Sequence, residues 1–147
     1  MIKYPVWWDA TITLYNRFED PQTHVVSWYR HTIENCFWKD VGNKVTVGNT
    51  VLETDNIICR IPEQSNFLPQ SEWMAKTADA KANFITLGAM DIVIFGSVED
   101  VIAEYTEGHR SSDLLAKYKA SGCMQVQRCA NNTGPGRGLP HYHVIGV

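Results

Sequence analysis

The 147-residue sequence lacks a long apolar run, an excess of basic charge and any CxxC pair. No stretch approaches the roughly 18–20 apolar residues that span a bilayer. Met1–Ile2–Lys3–Tyr4–Pro5 has no apolar core of a secretory signal. These absences lead us to expect a soluble protein made in the cytoplasm, with no membrane partner. Lys and Arg number 13 against 16 Asp and Glu, for a net charge of −3. The basic residues are scattered along the chain, which argues against a general nucleic-acid binder. Cys36, Cys59, Cys123 and Cys129 are expected to be reduced thiols, since a disulfide framework suits neither this length nor this compartment. Internal repeats, low-complexity tracts and a GxSxG elbow are missing too.

What is present reads as strands. Hydrophobic residues make up 44% of the chain and charged residues 20%, enough apolar surface to fill one core. Ile12, Leu14 and Phe18 alternate with Thr11, Thr13, Tyr15 and Arg17, the two-residue period of a half-buried strand. After a turn at Glu19–Thr23, further strands are expected over His24–His31 and Thr32–Lys39. Asp40–Val41–Gly42–Asn43 reads as a turn, and Gly48–Asn49 as the tip of a tight hairpin or a bulge within one strand. Thr54–Asp55–Asn56 reads as another turn before Ile57–Ile61, which Pro62 stops. Asp91–Phe95 is a continuous apolar strand, and 98–106 is assigned to a strand as well. Strands are also expected over Cys123–Cys129 and Tyr142–Val147, with Phe84–Leu87 a shorter candidate. One helix is expected, Asp113–Ala120 within 112–121, capped by Ser112 and ended by Gly122.

The expected fold is mainly β: a small antiparallel β-barrel or sandwich with a long mid-chain loop and one short C-terminal α-helix. It forms a single domain over 1–147, with 1–9 an extended N-terminal arm and 62–83 the long loop. Loops of that length inside a small domain usually bind or cover something. Phe67, Leu68, Trp73 and Met74 in that loop are therefore expected to be subunit or partner contacts. So are Trp7 and Trp8 of the arm and Arg137 at the tip of the glycine-rich segment 134–138. Trp28 and Trp38, inside strand patterns, are expected in the core.

The candidates for chemistry are weak. His141 and His143 alternate on one strand and could be joined by Cys123 or Cys129, but metal sites need three or four convergent ligands. Gly134–Gly138 lacks the Lys-Ser/Thr and following helix of a phosphate cradle. His109–Ser112–Asp113 holds the residue types of a triad, yet adjacency in sequence is not triad geometry. Glu19–Asp20 and Glu99–Asp100 read as solvated turn carboxylates. We therefore expect no enzyme, no cofactor and no metal.

The segments Trp8–Asn16, Trp28–Tyr29–Arg30, Asn35–Cys36–Phe37–Trp38, Arg60–Ile61–Pro62 and Gly88–Gly96 together resemble the small neck proteins of tailed phages, including head-closure (stopper) proteins of Firmicutes phages and prophages. The resemblance covers roughly residues 8–107. Here Ala89–Met90 stand between Gly88 and Asp91, a departure from that family's pattern. It implies a structural virion protein at the head–tail interface, with no catalytic residues. It would assemble as a homo-oligomeric ring of about six or twelve copies, touching portal or adaptor proteins on one side and tail proteins on the other. Packaged DNA would pass through without sequence-specific binding. The alternatives are a tail terminator or tail-completion ring and, from another class, a small metal-binding module or enzyme using His141 and His143.

Overall fold

The computed structural model describes residues 3–136 and 138–147, and among them the side chains at 42–47 and 51–55 are left aside. Six strands form a closed antiparallel barrel. They are β1 (Ala10–Glu19), β2 (Val26–Val47), β3 (Thr50–Pro62), β4 (Ile92–Phe95), β5 (Cys123–Asn132) and β6 (His141–Gly146). Around the barrel the order is β1-β2-β3-β6-β5-β4, and β4 pairs back onto β1. Closure leaves no free sheet edge where those pairings run.

The barrel explains the alternation in the sequence. Ile12 and Leu14 point inward, meeting Ile33, Cys36, Cys59, Ile61, Val93, Met124 and Val144 in one apolar lumen. Each such side chain contributes about 1.5–3 kcal/mol by leaving water. Tyr15, Ile92 and Ile94 point outward from β1 and β4. They are covered by Ile102 and by Leu114 of α3 (Ser111–Tyr118), forming a second apolar cluster on the barrel wall.

Several expected boundaries are corrected. The strands expected over 24–31 and 32–39 are one continuous 22-residue strand, β2. Ala10 pairs with Cys36 and Ile12 with Ile33, so β2 carries one extra residue, a β-bulge. Asn35 sits there at φ 60°, a left-handed conformation that Asn tolerates. The bulge bends β2 without a turn. The turns expected at 40–43 and 54–56 are also strand, because Asp40 pairs with Ile57 and Asn43 with Thr54 in unbroken register. Pairing along the ribbon overrides local turn preference. The hairpin tip at Gly48–Asn49 lies where expected, with Gly48 at φ +62° in the first central position that a type II′ turn reserves for glycine.

Past Lys39 on β2 and before Ile57 on β3, the two strands pair, among the described residues, only with each other. A two-stranded ribbon therefore projects from the barrel. The strand expected over 98–106 is absent. Its segment runs irregularly over the wall, held by Tyr15 Oη donating to Asp100 O at 2.6 Å and Arg30 Nη1 donating to Val98 O at 2.9 Å. The pairing of β1 with β4 has already consumed the edge such a strand would need. Phe84–Leu87 is reduced to a single parallel bridge, Phe67 to Ile85. The expected C-terminal helix is α3, entered from Arg110 rather than Ser112; Arg110 N donates to Asp113 Oδ2 at 3.1 Å.

Candidate interaction surfaces

The 62–83 segment, expected as a loop carrying contact residues, instead folds onto the barrel. It contains two short helices, α1 (Gln70–Met74) and α2 (Ala78–Asn83). Trp73, expected at an interface, is 0% exposed. Its ring meets Phe18 at 6.3 Å and Tyr29 at 5.5 Å, both edge to face, and its Nε1 donates to Phe84 O at 2.9 Å. A large apolar ring next to an open barrel end is worth more inside than outside. Phe67 stacks on Tyr142 at 4.2 Å and is partly buried, as are Leu68 and Met74. Lys81 of α2 is only 4% exposed; its Nζ lies 3.8 Å from the Phe18 ring centre and donates to Lys76 O at 2.6 Å. Burial lowers its pKa, partly offset by Asp20.

The N-terminal arm divides. Trp8 is 6% exposed, stacked on Tyr4 at 5.2 Å and set edge-on to His141 at 5.9 Å, and Tyr4 Oη donates to Pro140 O at 2.6 Å. Trp8 therefore belongs to the monomer fold, which corrects its expected role as a contact. Trp7 is 65% exposed. Arg137, the remaining expected contact, lies outside the described residues.

Trp7 borders an open apolar cleft with Phe37, Trp38 and Phe95, where the ribbon leaves the barrel. Trp38 and Phe95 are 5.5 Å apart between ring centres, and Phe95 is 42% exposed. Both occupy inward-facing register positions at the end of the lumen, where no further layer of strands covers them. Trp38, expected in the core, is thus only partly buried, as is Trp28, whose Nε1 donates to Glu104 Oε2 at 2.7 Å. Phe37 and Phe95 went unnoticed as surface residues in the sequence, because strand periodicity does not say where a barrel ends.

The polar interior is structural. Asn16 and Asp91, 0% and 1% exposed, lie inside the barrel. The Asp91 carboxylate accepts from Asn16 Nδ2 at 3.0 Å, Arg17 N at 2.9 Å and Gly88 N at 3.0 Å. Asn16 Nδ2 also donates to Thr86 O at 2.7 Å. Burial pushes the Asp91 pKa up to about 7, against the downward pull of those three donors. This network ties β1 to the turn before β4. His31 is half-buried, its pKa pushed down to about 4 by burial and then by Arg30.

The outer wall formed by β3, β6 and β5 is basic. The register sets two rows of side chains across it. Phe37, Arg60, His143 and Ala130 make one row, and Lys39, Ile58, Ile145 and Arg128 the next. The Arg60 guanidinium lies 5.1 Å over the Phe37 ring, and its Nε is buried without a hydrogen-bond partner. Burial, then Arg60, His141 and Arg128, hold the His143 pKa below the usual imidazole range. His141 and His143 rings are 6.3 Å apart, but His141 Nδ1 is engaged with Leu139 O at 2.7 Å. Among the described residues no three His, Cys, Asp or Glu side chains converge as a metal site would require. Cys36 and Cys59 are buried in the lumen, while Cys123 and Cys129 are not. These rows exist only through the pairing of distant strands, so no local sequence pattern announces them.

The fold and its surface define a closed six-stranded antiparallel barrel with a projecting ribbon and a covered wall. The chain belongs to the family described as "Family of unknown function (DUF6751)", which it matches over residues 7–147. No curated protein and no solved structure matches it. Among the described residues no helix is long and apolar enough to cross a membrane.

Proposed function

We propose that this protein is a structural, self-assembling subunit of a phage neck, a head-closure ring protein that meets portal or adaptor proteins and tail proteins in the virion. The observation that carries the reading is the ribbon of β2 and β3, which projects past the barrel with no partner strand among the described residues on either outer edge. A two-stranded ribbon is marginal in water by itself. Unpaired edges are templates for pairing with another chain. The resemblance of residues 8–107 to neck proteins supports the proposed location. The exposed aromatic cleft at the ribbon's root supports a docking role, since Trp and Phe dominate contact energetics. The reading includes no catalytic step and no cofactor.

Electron microscopy of particles carrying an epitope on this protein tests the location. Label at the junction of head and tail is expected. Label that stays in lysate and never sediments with particles rules the reading out. A deletion strain should yield heads that lose DNA beside tails of normal length, whereas full heads with tails of abnormal length would assign the protein to tail completion.

A further inference from the structure

Charged side chains on this barrel are sorted by face. The strand order places β6 opposite β1. The β3-β6-β5 wall, with Lys39 of β2 at its border, carries the cations Lys39, Arg60 and Arg128 beside His143, and no carboxylate occupies its two rows. Opposite lies the segment 97–113, draped over β1 and β4. It holds Glu99, Asp100, Glu104, Glu107 and Asp113 against one arginine, Arg110. Among the described residues the ion pairs are Arg17 with Glu19 and Lys117 with Asp100, and neither involves a side chain of the basic wall.

Apolar groups are matched as well. The acidic crest exposes Val101 at 73% and Tyr105 at 65%. The basic wall presents Ile58 and Ile145, paired side by side and half-buried, between Lys39 and Arg128. The wall's apolar centre is flanked by basic charge, while the crest is net acidic with Arg110 and Lys117 beside Val101; apolar centres ringed by charge of opposite net sign mark a specific interface.

We propose that copies of this chain dock head to tail, the basic β3-β6-β5 wall of one receiving the acidic 97–113 crest of the next. Phosphate backbone would satisfy the wall's charge but not Ile58 and Ile145, and the crest repels it. A second copy supplies both the charge and the apolar surface. Because the two faces lie on opposite sides of the barrel, the contact is heterologous. It leaves a free face at each end and is completed only by ring closure. The contact supplies the joint of the ring proposed above and rests on that reading only for where the ring sits.

Two exposed positions test it. Val101→Asn removes the crest's exposed apolar group without changing its charge and Arg128→Asp spoils the wall, each leaving the other face intact. By sedimentation velocity at low salt, the wild type should grow beyond a dimer and shrink as salt is added. Each variant alone should associate about tenfold more weakly or less well still, with an unchanged melting temperature. Mixed together, the two variants should form a 1:1 complex that grows no further, through the one intact wall and the one intact crest. A wild type that stays monomeric at millimolar concentration overturns the proposal. So does either variant assembling like the wild type, or a mixture no larger than its components. Binding of a single-stranded oligonucleotide, lost in Arg128→Asp and kept in Val101→Asn while self-association is unaffected, would instead assign the wall to phosphate. Normal label at the neck combined with any of these failures removes only the interface. Assembly as expected with no label at the neck removes only the virion location.

Discussion

At the scale of single residues, burial decides between packing and contact. Trp73 is enclosed by Phe18 and Tyr29, while Trp7 is 65% exposed. Trp73→Ala should cost about 3–5 kcal/mol of stability, and Trp7→Ala should stay within about 0.5 kcal/mol; thermal unfolding of the two variants compares them directly. Gly146 offers a different kind of sensitivity. A Cβ there would stand 2.3 Å from Gln125 O and 2.9 Å from Gln125 C, both backbone atoms that a strand cannot move aside. Gly146→Ala should therefore lose about 1–3 kcal/mol in denaturant melts, although alanine is ordinarily at least as good as glycine in a strand. Asp91 sets a pH dependence of unusual sign. Its pKa is raised by burial to about 7 in the folded state, against 3.8 ordinarily. The folded protein thus keeps a proton that the unfolded chain releases. The contribution of this group is fully present below about pH 4, declines as pH rises toward 7, and is flat above. Unfolding measured from pH 4 to 8 should show that decline, and Asp91→Asn should remove it, starting from a lower stability because at least one of the three N–H donors loses its acceptor.

At the scale of elements, what could be read from the sequence and what could not follow from one distinction. The period-two pattern of Ile12, Leu14 and Phe18 and the Gly48–Asn49 tip are local signals, and both appear in the structure as expected. The mainly antiparallel β fold with a short helix after residue 110 was legible for the same reason. The fate of 62–83 was not. Whether Trp73 points at solvent or into a barrel end depends on Phe18 and Tyr29, more than forty residues away. The strand expected over 98–106 failed for a like reason, since its alternation was genuine but β4 already pairs with the stretch of β1 that it crosses. The basic wall was invisible because Arg60, Arg128 and His143 become neighbours only through the register of β3, β6 and β5. The ribbon gives this scale its own test. Its strands pair with nothing else beyond Lys39 and Ile57, so replacing residues 42–55 by an Asn-Gly turn should leave the barrel's melting temperature within a few degrees. In the proposed role the shortened protein should be missing from purified particles. A shortened protein that fails to fold would show the ribbon to be part of the barrel's own stability.

At the scale of the whole molecule, the position of β6 has a consequence for how the chain comes into being. It is the last of the six strands in chain order, yet it sits between β3 and β5, pairs with both and closes the barrel there. During synthesis all other strands emerge first. Until His141–Gly146 is free of the ribosome, β3 and β5 each present an open edge and the apolar lumen has a slot in its side. Folding must then be a late, concerted event with a large share of contacts between distant residues, which is slow and prone to misassociation. Nascent chains crowded on one message would be exposed to each other while that slot is open. A stop codon in place of His141 should give insoluble product rather than a slightly weakened barrel. Supplying the His141–Val147 peptide during refolding of the truncated chain should rescue solubility in proportion to peptide concentration.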